Sequence, residues 1–216
     1  MTLLAIDTCL GACSAALLRD GQVLAARAEP MARGHQERLA PLVRDLAAEA
    51  GVDFKNLFEI AVVVGPGSFT GLRVGLAFAK GLGQALSIPV IGVGALEALA
   101  AGVVADGVVF AAIDAKRGQV YIQAFEAGEP LMAPDALLVE TAAARLPELA
   151  AGRTVTLVGS GAGLLAEVAP GATVIAADYP DPVAVARLAA GRQPTPPRPL
   201  YLRAPDARLP GGVLPP

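Results

Sequence analysis

Val62, Val63 and Val64 form an unbroken β-branched run that predicts a strand covered on both faces, and Gly65-Pro66-Gly67 stops it with a tight loop. The period then changes. Ser68 and Thr70 are residue types that cap helices, Leu72, Leu76 and Ala79 follow at helical spacing, and Val74, Phe78 and Leu82 lie on a neighbouring face. Upstream, residues 3–29 read as three strands anchored by Ile6, Ala15-Ala16-Leu17-Leu18 and Val23-Leu24, with Asp20-Gly21 as a hairpin turn. Leu39, Leu42, Val43 and Leu46 predict an amphipathic helix over residues 35–50, with Gly51 as its stop and Pro41 as an expected kink or a sign of an earlier start.

Downstream, residues 89–93 read as a short buried strand followed by a helix over 94–101. Strands are expected at 108–114, 120–125, 154–158 and 173–176, and Pro182 is placed to open a helix that ends at Gly191. From Pro194 proline recurs too often for regular structure, and residues 210–216 read as a loose tail. The alternation of strands and helices makes the chain α/β.

Two stretches share their spacing. Ile6-Asp7 is followed by Gly11 and Gly21, and Ile113-Asp114 by Gly118 and Gly128 at the same offsets; Leu17-Leu18 and Ala124-Phe125 end the corresponding strands. The correspondence suggests a duplicated β-hairpin unit, one in each of two related lobes. The division expected is an N-terminal lobe over 1–104, a C-terminal lobe over 105–193 and a proline-rich segment over 194–216.

Composition changes the picture modestly. The 216 residues are long enough for a substantial core, and 54% are hydrophobic against 17% charged, with Ala and Gly supplying much of the apolar share. A net charge of −3 gives no basic footprint for nucleic acid, so any nucleic acid would be held mainly by a partner. No apolar run approaches a membrane span and Asp7 interrupts the first apolar stretch at once, so a cytoplasmic protein is expected. Cys9 and Cys13 have no histidine near them in sequence and read as buried free thiols.

Candidate chemistry is sparse. Gly65, Gly67 and Gly71 give G-x-G-x-x-x-G, which is neither a dinucleotide fingerprint nor a P-loop; the loop before the helix reads as an anion cradle or as a structural turn. Gly71, Gly75, Ala79 and Gly83 recur every four residues, and glycine costs about 1 kcal/mol per interior helix position, so the stripe requires a close backbone contact, in the core or at a subunit interface. His35 is the only histidine and nothing accompanies it: there is no H-E-x-x-H and no nucleophile elbow around Ser14, Ser68, Ser87 or Ser160. A capping or interface role is expected for it.

GPGSFTGLRVGLAFAKGL, with LLAIDTCLGACSAAL, GHQERLAPLV and IDAKRGQVY, closely resembles the bacterial TsaB family, formerly called YeaZ. The resemblance runs from Leu3 to Phe125 and resumes at Pro199-Leu200-Tyr201-Leu202-Arg203. It implies an actin-like, sugar-kinase-like fold (the ASKHA, ribonuclease-H-like type) of two lobes facing each other across a cleft. It also implies a part in making N6-threonylcarbamoyladenosine at position 37 of tRNAs. In that superfamily Asp7 and Thr8 would open a loop facing nucleotide phosphate, where a carboxylate acts through Mg²⁺ and water, with Gly65, Gly67 and Ser68 beside it; the alternative is an Asx turn.

Three functions compete. The first is a non-catalytic subunit that pairs with a catalytic relative, which the resemblance implies is TsaD, with the synthase TsaC and the ATPase TsaE in the same pathway and a homodimer in isolation. The second is an autonomous ATP-dependent kinase, for which Asp114 and Gly159-Ser160-Gly161 are the loose candidates. The third is a metallopeptidase, which the single histidine argues against. The first reading is preferred. It implies no cofactor held by the chain alone and admits ATP or ADP with Mg²⁺ at a shared interface. The expected interface is built from His35, Arg38, Leu39 and Leu42 on one helix and Gly71, Arg73, Gly75, Leu76, Phe78 and Ala79 on the other.

Overall fold

A computed structural model describes residues 1–203, the side chain of Val168 excepted. The first lobe runs β1 (Thr2–Asp7), β2 (Ala12–Arg19), β3 (Gln22–Pro30), α1 (His35–Glu49), β4 (Leu57–Val63), α2 (Phe69–Leu86), β5 (Val90–Val93) and α3 (Ala95–Ala101). The second runs β6 (Val108–Lys116), β7 (Gln119–Glu126), β8 (Glu129–Pro130), β9 (Asp135–Leu138), α4 (Val139–Ala150), β10 (Val155–Val158), α5 (Ala162–Val168), β11 (Thr173–Ile175) and α6 (Pro182–Ala189). One sheet has the order β3-β2-β1-β4-β5 and the other, read from the opposite edge, β8-β7-β6-β10-β11, so five strands of each correspond, while β9 pairs with β7 as an additional strand of the second sheet. The duplication expected from the Asp7 and Asp114 spacings therefore extends beyond the hairpin to five strands of each sheet.

Each sheet is mixed for the same reason. A two-residue turn at Asp20-Gly21, both at positive φ, folds β2 onto β3, while β1 and β4 lie parallel because α1 carries the chain back between them. Leu39, Leu42, Val43 and Leu46 face the first sheet, and burying each such side chain contributes about 1.5–3 kcal/mol. Pro41 sits inside α1 without ending it; Glu37, whose carbonyl loses that donor, is exposed. The helix that follows β4 runs on to Leu86.

The last helix of each lobe is exchanged. α3 packs on β6 and β7 of the second sheet, α6 packs across β1, β2 and β3 of the first, and the two helices touch each other at the base of the cleft. This exchange fuses one face of each sheet into a single core containing Ile6, Ala16, Val63, Leu96, Ile113 and Val185. A second core, around Phe110, Ile122, Leu146 and Leu157, lies under α4 and α5.

Two expectations about the C-terminal region are corrected. Residues 126–150 hold β8, β9 and α4, none of which the sequence pattern marked, and α6 ends at Ala189 rather than Gly191. Residues 194–203 have no regular structure, as expected, but they form no separate unit. Pro197 packs against Gly92, and the Leu200 N–H donates to the Val64 carbonyl at 2.8 Å. The tail expected at 210–216 lies outside the described residues.

Candidate functional site

Asp7 ends β1, and its Oδ1 accepts the Cys9 backbone N–H at 2.8 Å, an Asx turn that starts the β1–β2 loop. Asp7 stands opposite Ser14 in the antiparallel pair, so both side chains leave the sheet on one face; Asp7 Oδ2 and Ser14 Oγ are buried without a hydrogen-bond partner among the described residues. The carboxyl is 1% exposed. Burial is the main influence and raises its pKa, against which the Cys9 N–H and the nearby His35 act in the lowering direction.

The glycine loop lies directly on this turn. Gly65 is at φ 102° before Pro66, the Ser68 N–H donates to the Cys9 carbonyl at 2.7 Å, and a Cβ on Gly67 or Gly71 would overlap the Cys9 or Thr8 carbonyl oxygen. Thr8 Oγ1 donates to the Gly71 carbonyl at 2.7 Å, and Ser68 Oγ caps α2 by accepting from the Gly71 N–H. Asp7, Thr8, Gly65, Gly67 and Ser68 are thus brought together, but Asp7 Oδ1, Thr8 Oγ1 and the Ser68 N–H and Oγ are taken up by Cys9 and Gly71.

This contact corrects the expected interface. Gly71, Gly75 and Ala79 face inward: a Cβ on Gly75 would come within 2.7 Å of Thr8 Oγ1, and all three are buried inside the lobe together with Leu39, Leu42 and Leu76. The small-residue stripe exists so that α2 can lie close on the β1–β2 loop and β4. Arg38 is also engaged within the chain, forking onto Glu29 of β3 at 2.5 and 2.7 Å and holding that carboxyl below its usual range. His35 caps nothing. Gly34 is the N-cap of α1, and His35 is the first helical residue, half-buried, with Nε2 lacking a hydrogen-bond partner. The outer face of α2 is what remains: Phe69, Thr70, Arg73, Ala77, Lys80 and Gly81 are exposed and Phe78 is half-buried.

The second lobe supplies the other wall of a cleft of about 840 Å³. Asp114, the counterpart of Asp7, is partly open to it. Burial tends to raise its pKa, but its bonds to the Lys116 N–H and Nζ, both at 2.7 Å, outweigh that and hold it low. Ser160 Oγ accepts the Asp114 backbone N–H at 3.2 Å. Cys9, Leu10 and Ser68 line the facing wall, and Asp7 does not reach it. Burial, followed by the charge of Asp7, pushes the Cys9 thiol far up; burial and Glu29 push Cys13 up to about 11, so both are neutral buried thiols as the sequence predicted. Among the described residues no group of three His, Cys, Asp or Glu side chains stands as a metal site, and no helix is long and apolar enough to cross a membrane.

Sequence reasoning missed the feature at the mouth of the cleft. The Arg73 guanidinium lies 3.7 Å over the Phe69 ring, Tyr201 packs on Phe69 with centroids 5.3 Å apart, and Arg73 Nε donates to the Tyr201 hydroxyl at 3.3 Å. No local pattern joins two residues this far apart in the chain.

Twin sheets, exchanged helices and an aspartate near the end of the first strand of each lobe define a two-lobed α/β protein of the actin-like and sugar-kinase-like class. A ROK hexokinase from Thermus thermophilus, 14% identical, matches 88% of this chain and 97% of its own with a TM-score of 0.51, a likeness of fold alone. YeaZ from Pseudomonas aeruginosa is 33% identical, with a TM-score of 0.80 over 93% of this chain and 99% of its own. Residues 26–144 match the family model described as TsaD: tRNA N6-adenosine threonylcarbamoyltransferase. The tRNA threonylcarbamoyladenosine biosynthesis protein TsaB of Escherichia coli is 41% identical over 132 residues, 60% of this chain and 57% of that protein. The match to this curated relative therefore spans little more than half of its length. The chain belongs to the TsaB (YeaZ) family.

Proposed function

We propose that this chain is a non-catalytic subunit required for N6-threonylcarbamoyladenosine formation on tRNA, acting by binding a TsaD-like catalytic subunit with a TsaE-like ATPase in the same assembly. The observation that carries the non-catalytic part is the burial of Asp7. A phosphotransferase of this fold needs a carboxylate at that place to reach nucleotide-bound Mg²⁺ and water. Here the carboxyl is sealed beneath the Cys9 turn, and the glycine loop above it bonds to protein carbonyls. The name of the E. coli relative supports the pathway, and the match to the TsaD model supports a partner of related fold. The autonomous kinase has no comparable support.

The outer face of α2 is the docking surface in this reading. It presents Phe69, Arg73, Ala77 and Lys80, with Phe78 half-buried among them. With a net charge of −3, the chain leaves tRNA to its partner. Any ATP or ADP with Mg²⁺ belongs to a surface shared with that partner, and a homodimer through the same face is its resting form. The test is tRNA modification reconstituted from purified components, each omitted in turn. The expected result is loss of modified adenosine when this chain is left out; full modification without it would overturn the proposal.

A further inference from the structure

The two lobes are held together on opposite sides of the cleft by different means. On one side the Gly11 N–H of the β1–β2 loop donates to the Asp178 carbonyl at 3.1 Å, in the loop that leads from β11 to α6. On the other side residues 197–203 touch both lobes. Pro197 lies against Gly92 of β5, the Leu200 N–H bonds to Val64 beyond the end of β4, and Tyr201 packs on Phe69 and Arg73 at the start of α2. Two residues later the same strand of chain reaches the second lobe, where Arg203 Nη1 donates to the Ala115 carbonyl at 2.9 Å and to Gln119 Oε1 at 3.4 Å, at the tip of the β6–β7 hairpin.

We propose that the segment from Pro197 to Arg203 is a latch that holds the lobes closed across the cleft and, through Tyr201, ties that closure to the exposed N-terminal end of α2. The inference rests on the fold and is independent of the role in tRNA modification. The latch is built to be released. Tyr201 is 42% exposed and Phe69 38%, so the stack can part without opening a core. Arg203 holds the second lobe through a carbonyl and an amide oxygen among the bonds given above, and a charged donor makes these stronger than neutral ones while leaving them reversible. The exchanged helices α3 and α6 stay packed at the base of the cleft and serve as the hinge.

Amide hydrogen exchange on the full chain tests this, comparing wild type with Arg203→Ala and Tyr201→Ala. Two protons read the latch: the Leu200 amide reads the segment itself, and the Gly11 amide reads the interlobe bond on the far side of the cleft. Both variants are expected to exchange at these two sites about tenfold faster, the factor given by losing one bond to a charged or aromatic partner, with the amides of β1 and β4 unchanged. Unchanged exchange at Leu200 would overturn the proposal. Faster exchange at Leu200 alone would also overturn it, because the segment would then fray without holding the lobes. A rise throughout β1 and β4 in both variants would do the same by showing that these contacts belong to the core.

Discussion

At Gly71 and Gly75 the distance between an α2 backbone and the β1–β2 loop decides what substitutions do. A Cβ on Gly71 would overlap the Thr8 carbonyl oxygen, which a rigid loop cannot yield cheaply. Gly71→Ala should therefore lower stability by about 1–3 kcal/mol, read as a lower urea midpoint with an unchanged m-value. Gly75→Arg should go further and fail to fold, losing more than about 4 kcal/mol, since it buries an unpaired charge against Thr8 and Val62. Circular dichroism of the isolated chain checks it. The sequence revealed that these glycines needed a close neighbour but not which one, because residues 8 and 71 become neighbours only through the parallel pairing of β1 with β4. Asp7 gives a pH test. Burial raises its folded pKa above the ordinary 3.8, so the folded state binds the proton more tightly than the unfolded one. Stability from this group is full below 3.8 and falls as pH rises toward the folded value. Asp7→Asn cannot ionise, so its thermal midpoint should equal or exceed that of wild type at pH 7, and the wild type should gain on it as pH falls toward 4. A variant less stable at pH 7 than at pH 4, relative to wild type, would mean that the ionised carboxylate is favoured in the fold.

At the scale of elements, α2 separates into an inner face of glycine and alanine that sets its distance from the sheet and an outer face on which Phe69, Arg73, Ala77 and Lys80 are exposed. Ala77 lies on the outer face and is exposed. Ala77→Glu should change stability by no more than about 0.5 kcal/mol. It should nevertheless weaken assembly with the TsaD-like subunit by tenfold or more, because a charge without a partner is placed where the two helix surfaces meet. Mass in solution over a concentration series measures this, and unaltered assembly would put the docking face elsewhere. Elements with a strong period were legible: β1 to β3, α1 and the strand, loop and helix around Val62. Those missed had weak signals. α4 begins at Val139 with no side-chain cap, carries Pro147 inside, and covers its sheet with Ala142, Ala143 and Ala150, so little distinguishes its apolar face in sequence. β8 and β9 are too short for alternation to register.

Over the whole molecule, the duplicated unit was readable from Asp7 and Asp114 because turn glycines keep their spacing, and the twin sheet orders confirm it. The exchange of α3 and α6 between lobes, and the crossing of residues 197–203 over the cleft, left no such trace, since both depend on contacts between distant segments. The two aspartates have also diverged chemically: Asp114 is held ionised by Lys116 at the cleft, and Asp7 is sealed under its own loop. A shared scaffold with one closed site fits a subunit that supports chemistry without performing it. Modified adenosine formed per unit time by the TsaD-like subunit, at saturating concentrations of wild-type chain or of Asp7→Asn, tests that claim most directly. The same rate is expected with either, because in a non-catalytic subunit Asp7 takes no part in the reaction; a rate that collapses with Asp7→Asn while the complex still forms would contradict this and place chemistry on this chain.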